Sequence, residues 1–336
     1  MSKYLSYKDV CLVPKYSELE SRALADTSVD LCGFRFKLPC VPANMETVID
    51  PKIAHFLSEN GYFYIMHRFN IDVDFVRKAQ DWKLISISCG VNYNQKEADL
   101  LGDAYVNNRR IDFITIDVAH GDHLKVKQKI EWLKQVFPKT KIIAGNIATP
   151  QAARHLVKWG ADIIKAGIAG GSICSTRYQT GFHIPMFSCI KNIDYDFRPA
   201  TYSFYVGSNP HGIPNRAGIT NQINTPIIAD GSISNIGDIA KAINAGATMV
   251  MCGKLFAECI DSPAKTVNGK KQYYGSTSFE AKKTNSHIEG HLLEMDFGVT
   301  VQERLKEIEM ALQSSISYAG GNKIEDLRKV DYIEVN

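Results

Sequence analysis

Residues 141–168, KIIAGNIATPQAARHLVKWGADIIKAGI, hold the alternation on which the fold turns. KIIAGNI (141–147) and DIIKAGI (162–168) are apolar runs of strand length, and TPQAARHLVKWGA (149–161) between them spaces its apolar residues for one helix face. Thr149 before Pro150 marks a helix start, because the hydroxyl accepts a free N–H of the first turn and proline needs no donor there; Gly160 supplies the stop. Two strands joined through such a crossover helix run parallel.

The unit recurs in both directions. Apolar runs at CVPANM (40–45), YFYIM (62–66), LISISCG (84–90), FITIDVAHG (113–121), PIIADGSI (226–233) and TMVMCGKL (248–255) bring the total to eight. Each is bounded by Gly, Asn, Asp or Pro, as buried parallel strands are. Helical patterns follow at PKIAHFLSENG (51–61), HLKVKQKIEWLKQVF (123–137) and SNIGDIAKAINAGA (234–247), and TVQERLKEIEMALQSSISYAGG (300–321) reads as a closing helix. Eight strand-helix units in about 250 residues predict an α/β chain closed into a (β/α)8 TIM barrel, one domain over residues 1–336. An open doubly wound sheet is the alternative, but no G-x-G-x-x-G follows the first strand to favour it.

Composition narrows the classes of function. With 336 residues, 45% hydrophobic and 22% charged, the chain can bury a large core. Lys plus Arg number 39 against 36 Asp plus Glu, and a net charge of +3 gives no broad surface for a polyanion, so nucleic acid is not an expected partner. The eight cysteines show no CxxC pairing, which argues against a disulfide scaffold or a zinc site. No run approaches the roughly 18 apolar residues that span a bilayer, and MSKYLSYKDVCLVPKYSELES has no apolar leader core. A cytoplasmic protein with free thiols and no membrane contact is expected.

In a TIM barrel the active site lies where the strands end. Asn44, His67, Cys89 with Asn92, Asp117 with His120, Asn146, Cys174 and Asp230 fall at those ends, whereas Thr149 and Ser234 read as helix caps. In GSICSTR (171–177) the glycines allow close backbone approach to an anion, and Ser172, Ser175 and Thr176 offer hydroxyls. Cys174 there is a candidate nucleophile. The alternative, a buried inert thiol, is the expectation for Cys11, Cys32, Cys40 and Cys252. Two stretches break the rhythm: 191–225, a long Gly-, Pro- and Asn-rich insertion loop after GSICSTR, and the hydrophilic 267–297, read as a flap over the barrel mouth.

GIAGGSICSTRYQTG (167–181), IDVAHG (116–121), AGNIAT (144–149), PIIADGSI, MVMCGKLFA (249–257), YYGS (273–276) and SSISYAGG (314–321) together resemble the inosine monophosphate dehydrogenase and guanosine monophosphate reductase family, over nearly the whole chain. The resemblance leans to the reductases. No regulatory CBS pair interrupts the barrel, and no arginine lies between Lys254 and Glu303, where the dehydrogenases resemble one another in an Arg-Tyr pair. Thr176 and the Glu289-Gly290 of HIEGH match the reductase pattern, and MHRF (66–69) and QSSISYAGG resemble the shorter bacterial type.

The resemblance implies catalysis by Cys174, Thr176 and Glu289, and a purine nucleotide held by Asn44, Ser172, Asp230, Gly231, Ser232, Gly253, Lys254, Tyr274 and Gly275. It implies NADPH flanked by His67, Asp117, Ala119 and Asn146, a K+ ion on the carbonyls of Gly171 and Cys174, and a homotetramer. Three departures touch the nucleotide side: Gly231-Ser232 for a glycine pair, Lys254 for a small residue, and HIPMF (183–187) for Gly-Pro-Gln. A cation beside a phosphate favours a more negatively charged ligand, so a differently phosphorylated or modified purine nucleotide stays open. So do a dehydrogenase of inosine monophosphate using NAD, a flavin barrel, and a catalytically silent nucleotide-binding barrel.

Overall fold

The computed structural model describes residues 4–69, 71–197, 225–275, 278–282 and 288–335. Seven parallel strands lie side by side in the order Cys40–Pro42, Met249–Cys252, Ile227–Asp230, Ile163–Ala166, Lys141–Ile147, Phe113–Asp117, Ser86–Cys89. Beyond the last of these, Met66 bridges to Ile87 in parallel, so the run at 62–66 takes the eighth place and the sheet curls as an α/β barrel of the TIM type.

That eighth run is a single bridge rather than a full strand, and side chains do part of the ladder's work. Tyr64 Oη donates to the Leu84 carbonyl at 2.9 Å, and Ser88 Oγ donates to the Met66 carbonyl at 2.7 Å. With these polar groups satisfied, Phe63, Tyr64, Ile65 and Met66 stay buried.

The helices form where apolar spacing and caps coincide. Thr149 accepts from the Ala152 N–H at 3.2 Å to start Pro150–Trp159, and Gly160 ends it at φ 107°, in the left-handed region that glycine tolerates. Thr300 and Glu303 form a reciprocal capping box on Val301–Tyr318, which buries Val301, Leu305, Ile308, Leu312 and Ile316. The upstream end of the barrel is closed by the hairpin Val29–Leu31 and Phe34–Phe36. Its Phe34 and Phe36 meet Phe113 and Phe63 at 4.9 and 5.0 Å, and Phe63 meets Phe113 at 5.1 Å.

One expectation is corrected. The stretch from 191 does not begin as a loop: Met186–Phe197 is a helix that buries Phe187, Ile190, Ile193 and Phe197. The apolar periodicity that pins it to the barrel starts five residues before the polar stretch that masked it. The remainder of that segment, 198–224, lies outside the described residues. In 267–297, Lys270–Tyr273 pairs antiparallel with Thr266–Val267 and with Leu293–Met295, so the expected flap is rooted in a three-stranded sheet. Among the described residues no helix is long and apolar enough to cross a membrane.

Candidate active site

A cavity of about 840 Å³ opens at the downstream ends of the strands. Its walls include Asn44, Asp117, Ala119, Asn146, Asp230 and Cys174, which the strand register brings together from across the chain. Gly171, Ser172, Gly231, Ser232, Gly253, Lys254 and Gly275 line it as well.

Cys174 is half-buried, and its thiol donates to Thr176 Oγ1 at 3.1 Å; Thr176 Oγ1 in turn donates to Glu289 Oε2 at 2.7 Å. Glu289 reaches this position because its segment is laced to the cysteine loop. Ser175 N–H donates to the Glu289 carbonyl at 2.8 Å, His291 N–H donates to the Ile173 carbonyl at 3.0 Å, and Cys174 and Gly290 bridge antiparallel. A hydroxyl between a thiol and a carboxylate is a two-step path for a proton.

The other cysteines differ in kind. Burial pushes the thiols of Cys40, Cys89, Cys189 and Cys259 up to about 12 and raises that of Cys252 well above the ordinary thiol value, which removes thiolate at neutral pH. Cys89 is therefore core rather than cavity wall. The full burial expected for Cys11 and Cys32 is corrected: Cys11 sits exposed on the strand Val10–Leu12, and Cys32 is half-buried within the tight turn between Leu31 and Phe34.

The glycine loops that line the cavity lie backbone against backbone. A Cβ on Gly231 would meet the Gly170 carbonyl carbon at 2.8 Å, and one on Gly167 the Asp230 carbonyl oxygen at 2.0 Å, so neither position admits a side chain. Ser232 Oγ donates to the Gly170 carbonyl at 2.8 Å and locks the two loops together. Lys254 pairs with Glu258 at 2.7 Å, which offsets its charge. Arg177 stacks over the Tyr178 ring and donates to its hydroxyl.

The most buried charge in the site was missed in the sequence. Lys165, 3% exposed, stands between Asp230 at 2.7 Å and Asp117 at 3.3 Å. Burial alone would lower its ammonium, but Asp230 and Asp117 outweigh this and hold it above the usual lysine value. Asn146 Nδ2 donates both to Asp230 Oδ2 and to the Gly167 carbonyl at 2.8 Å, which fixes the amide's orientation and leaves Asn146 Oδ1 buried without a partner among the described residues.

Several expected residues do not line the cavity. His67 is 3% exposed, and burial pulls its imidazole down to about 4, so it is neutral; its Nδ1 accepts the Phe69 N–H at 3.3 Å. Its neighbour Arg68 faces the cavity instead. Tyr274 is replaced in the wall by Tyr273, whose hydroxyl would sit 2.1 Å from a Cβ on Gly253. Thr176 and Glu289 stand behind Cys174 rather than in the wall. Asn92 and His120 are also outside it, Asn92 accepting from Lys125 at 2.8 Å.

A parallel barrel with a cysteine loop, a hydroxyl-carboxylate relay and a paired acid-lysine wall defines a class. The model of the IMP dehydrogenase / GMP reductase domain matches residues 4–201 and 211–335, and the chain belongs to this family of oxidoreductases. It is 42% identical over 333 residues to a GMP reductase of Acidovorax ebreus (strain TPSY), covering 97% of this chain and 94% of that one. It is 40% identical to the GMP reductase of Lactococcus lactis subsp. lactis (strain IL1403), over 100% of this chain and 96% of that one, and 41% identical to that of Staphylococcus carnosus (strain TM300), over 99% and 97%.

Proposed function

We propose that the protein reduces GMP to IMP and ammonia with NADPH, through a covalent adduct on Cys174. The observation that carries this is the relay from Cys174 through Thr176 to Glu289, with links of 3.1 and 2.7 Å. Its thiol proton passes through Thr176 to Glu289, and the sulfur adds to purine C2. Glu289, now protonated, returns the proton through Thr176 to the 2-amino group, which leaves as ammonia while sulfur stays bonded to C2. When bound, NADPH supplies the hydride that C2 accepts as the C–S bond breaks. Overall, GMP, NADPH and two protons yield IMP, NADP+ and ammonium.

Asp230 would hold the ribose hydroxyls, with Asn44, Ser172, Gly231, Ser232, Gly253, Lys254 and Gly275 around base and phosphate. Asp117, Ala119 and Asn146 would flank the nicotinamide. The orphaned Asn146 Oδ1 fits a donor such as a carboxamide. A K+ ion would rest on the carbonyls of Gly171 and Cys174; the Gly171 oxygen accepts the Cys174 N–H at 3.1 Å and keeps a second lone pair for it. The Lys254–Glu258 pair favours an ordinary monophosphate over a more highly charged ligand. Family membership supports a cytoplasmic homotetramer, which light scattering checks.

The test is to mix protein, GMP and NADPH, then to follow ammonia release and trap the adduct for mass spectrometry. Ammonia with a purine mass on Cys174 is expected. NADH formation from IMP and NAD, or turnover surviving Cys174→Ala, would sink the proposal.

A further inference from the structure

Three neighbouring strands place Asp117, Gly145 and Lys165 in one row: Asp117 lies opposite Gly145, and Gly145 opposite Lys165. Lys165 in turn lies opposite Ile228, two residues before Asp230, so both carboxylates share the lysine's face of the sheet. Gly145 is the gap that lets them meet. A Cβ there would sit 2.2 Å from the Lys165 carbonyl oxygen and 2.8 Å from its Cβ. One ammonium thus serves two carboxylates, at 2.7 and 3.3 Å, and Asn146 adds a hydrogen bond to the Asp230 oxygen that Lys165 also holds.

We propose that Lys165 is a positioning residue that couples the two halves of the cavity, because a single buried cation is shared between the carboxylate facing the nucleotide sugar and the one facing the nicotinamide. This rests on the function proposed above. Buried and fenced by both acids, the ammonium cannot satisfy one more tightly without loosening on the other. When ribose hydroxyls engage Asp230, Lys165 is released toward Asp117 and stiffens the cofactor side. Linkage is reciprocal, so cofactor binding must change nucleotide affinity by the same factor.

The experiment is calorimetric titration of GMP into the whole protein, with and without saturating NADP+. In the unaltered protein the two GMP dissociation constants should differ by about fivefold or more. In Lys165→Met, GMP affinity should fall by about tenfold or more and the ratio of the two constants should approach one. Asp117→Asn is the second variant. It cuts the bridge yet leaves a neutral Lys165–Asp230 pair, so it tests the coupling even where Lys165→Met does not fold, and its ratio should also approach one. A merely structural lysine would alter the melting temperature and leave the ratio intact. A ratio of one in the unaltered protein, or one unchanged in the variants, overturns the coupling. Absence of any GMP binding would instead bring down the functional proposal along with it.

Discussion

Phe113 and Asp117 stand on the same face of one strand, four residues apart, yet at opposite ends of the barrel. Around Phe113 gather Phe34, Phe36 and Phe63, a plug of rings 4.9 to 5.1 Å from their nearest partners. Around Asp117 gather Lys165, Asn146 and Asp230, with charges held inside a wall that opens to a cavity. The upstream end spends its side chains on burial and the downstream end on chemistry. A substitution should therefore cost stability at one end and turnover at the other.

The sharpest way to break that contrast is at the relay. Glu289→Gln or Thr176→Val should lower turnover about 10²- to 10⁴-fold with little change in melting temperature. A stopped assay for ammonia beside a thermal melt separates the two outcomes, and a large melting shift would mean that the relay is structural. Next in size is the plug. Phe63→Ala should destabilise by about 3–5 kcal/mol in urea unfolding while activity per folded molecule is kept. A loss of activity without loss of stability would contradict the division between the ends.

His67 tests the boundary between them. Its folded value, about 4, lies below the ordinary 6.5, so between these the unfolded chain takes up a proton that the folded chain refuses. Stability is then lost as pH falls through this window, by about 3 kcal/mol in total. Urea unfolding at pH 7 and pH 5 should show the drop, and His67→Gln should flatten its slope. The smallest expected effect is at a helix end: Thr300→Ala removes a capping box and should cost about 1 kcal/mol, with catalysis unaltered, measured by the same two assays.

Much of the barrel was legible because its signals are local. The helices Pro150–Trp159, Leu124–Val136 and Val301–Tyr318 fall within a few residues of the patterns that announced them, each with its cap in adjacent sequence. Gln95–Val106 escaped notice because QKEADLLGDAYV is mostly polar and buries only Leu100, Leu101 and Ala104. Cys174 is nominated by its own glycine- and hydroxyl-rich loop, Thr176 and Glu289 by resemblance, and the contact of Thr176 with Glu289 across 113 residues is a matter of the fold alone. Lys165 was invisible for the same reason. It sits in an apolar run, and the acid it holds most closely is 65 residues away. Tyr273 and Tyr274 show the limit of motif reading: strand alternation, not the motif, decides which ring faces Gly253.

The lacing of Cys174 to Gly290 has a consequence for how this barrel can vary. Because Glu289 is anchored at its far end, by main-chain bonds to the loop that bears the sulfur, its place does not depend on how much chain leads up to it. Residues can be gained or lost upstream of the anchor without moving the carboxylate away from Thr176, so the stretch before Glu289 is free to diverge in length while the proposed relay stays in register.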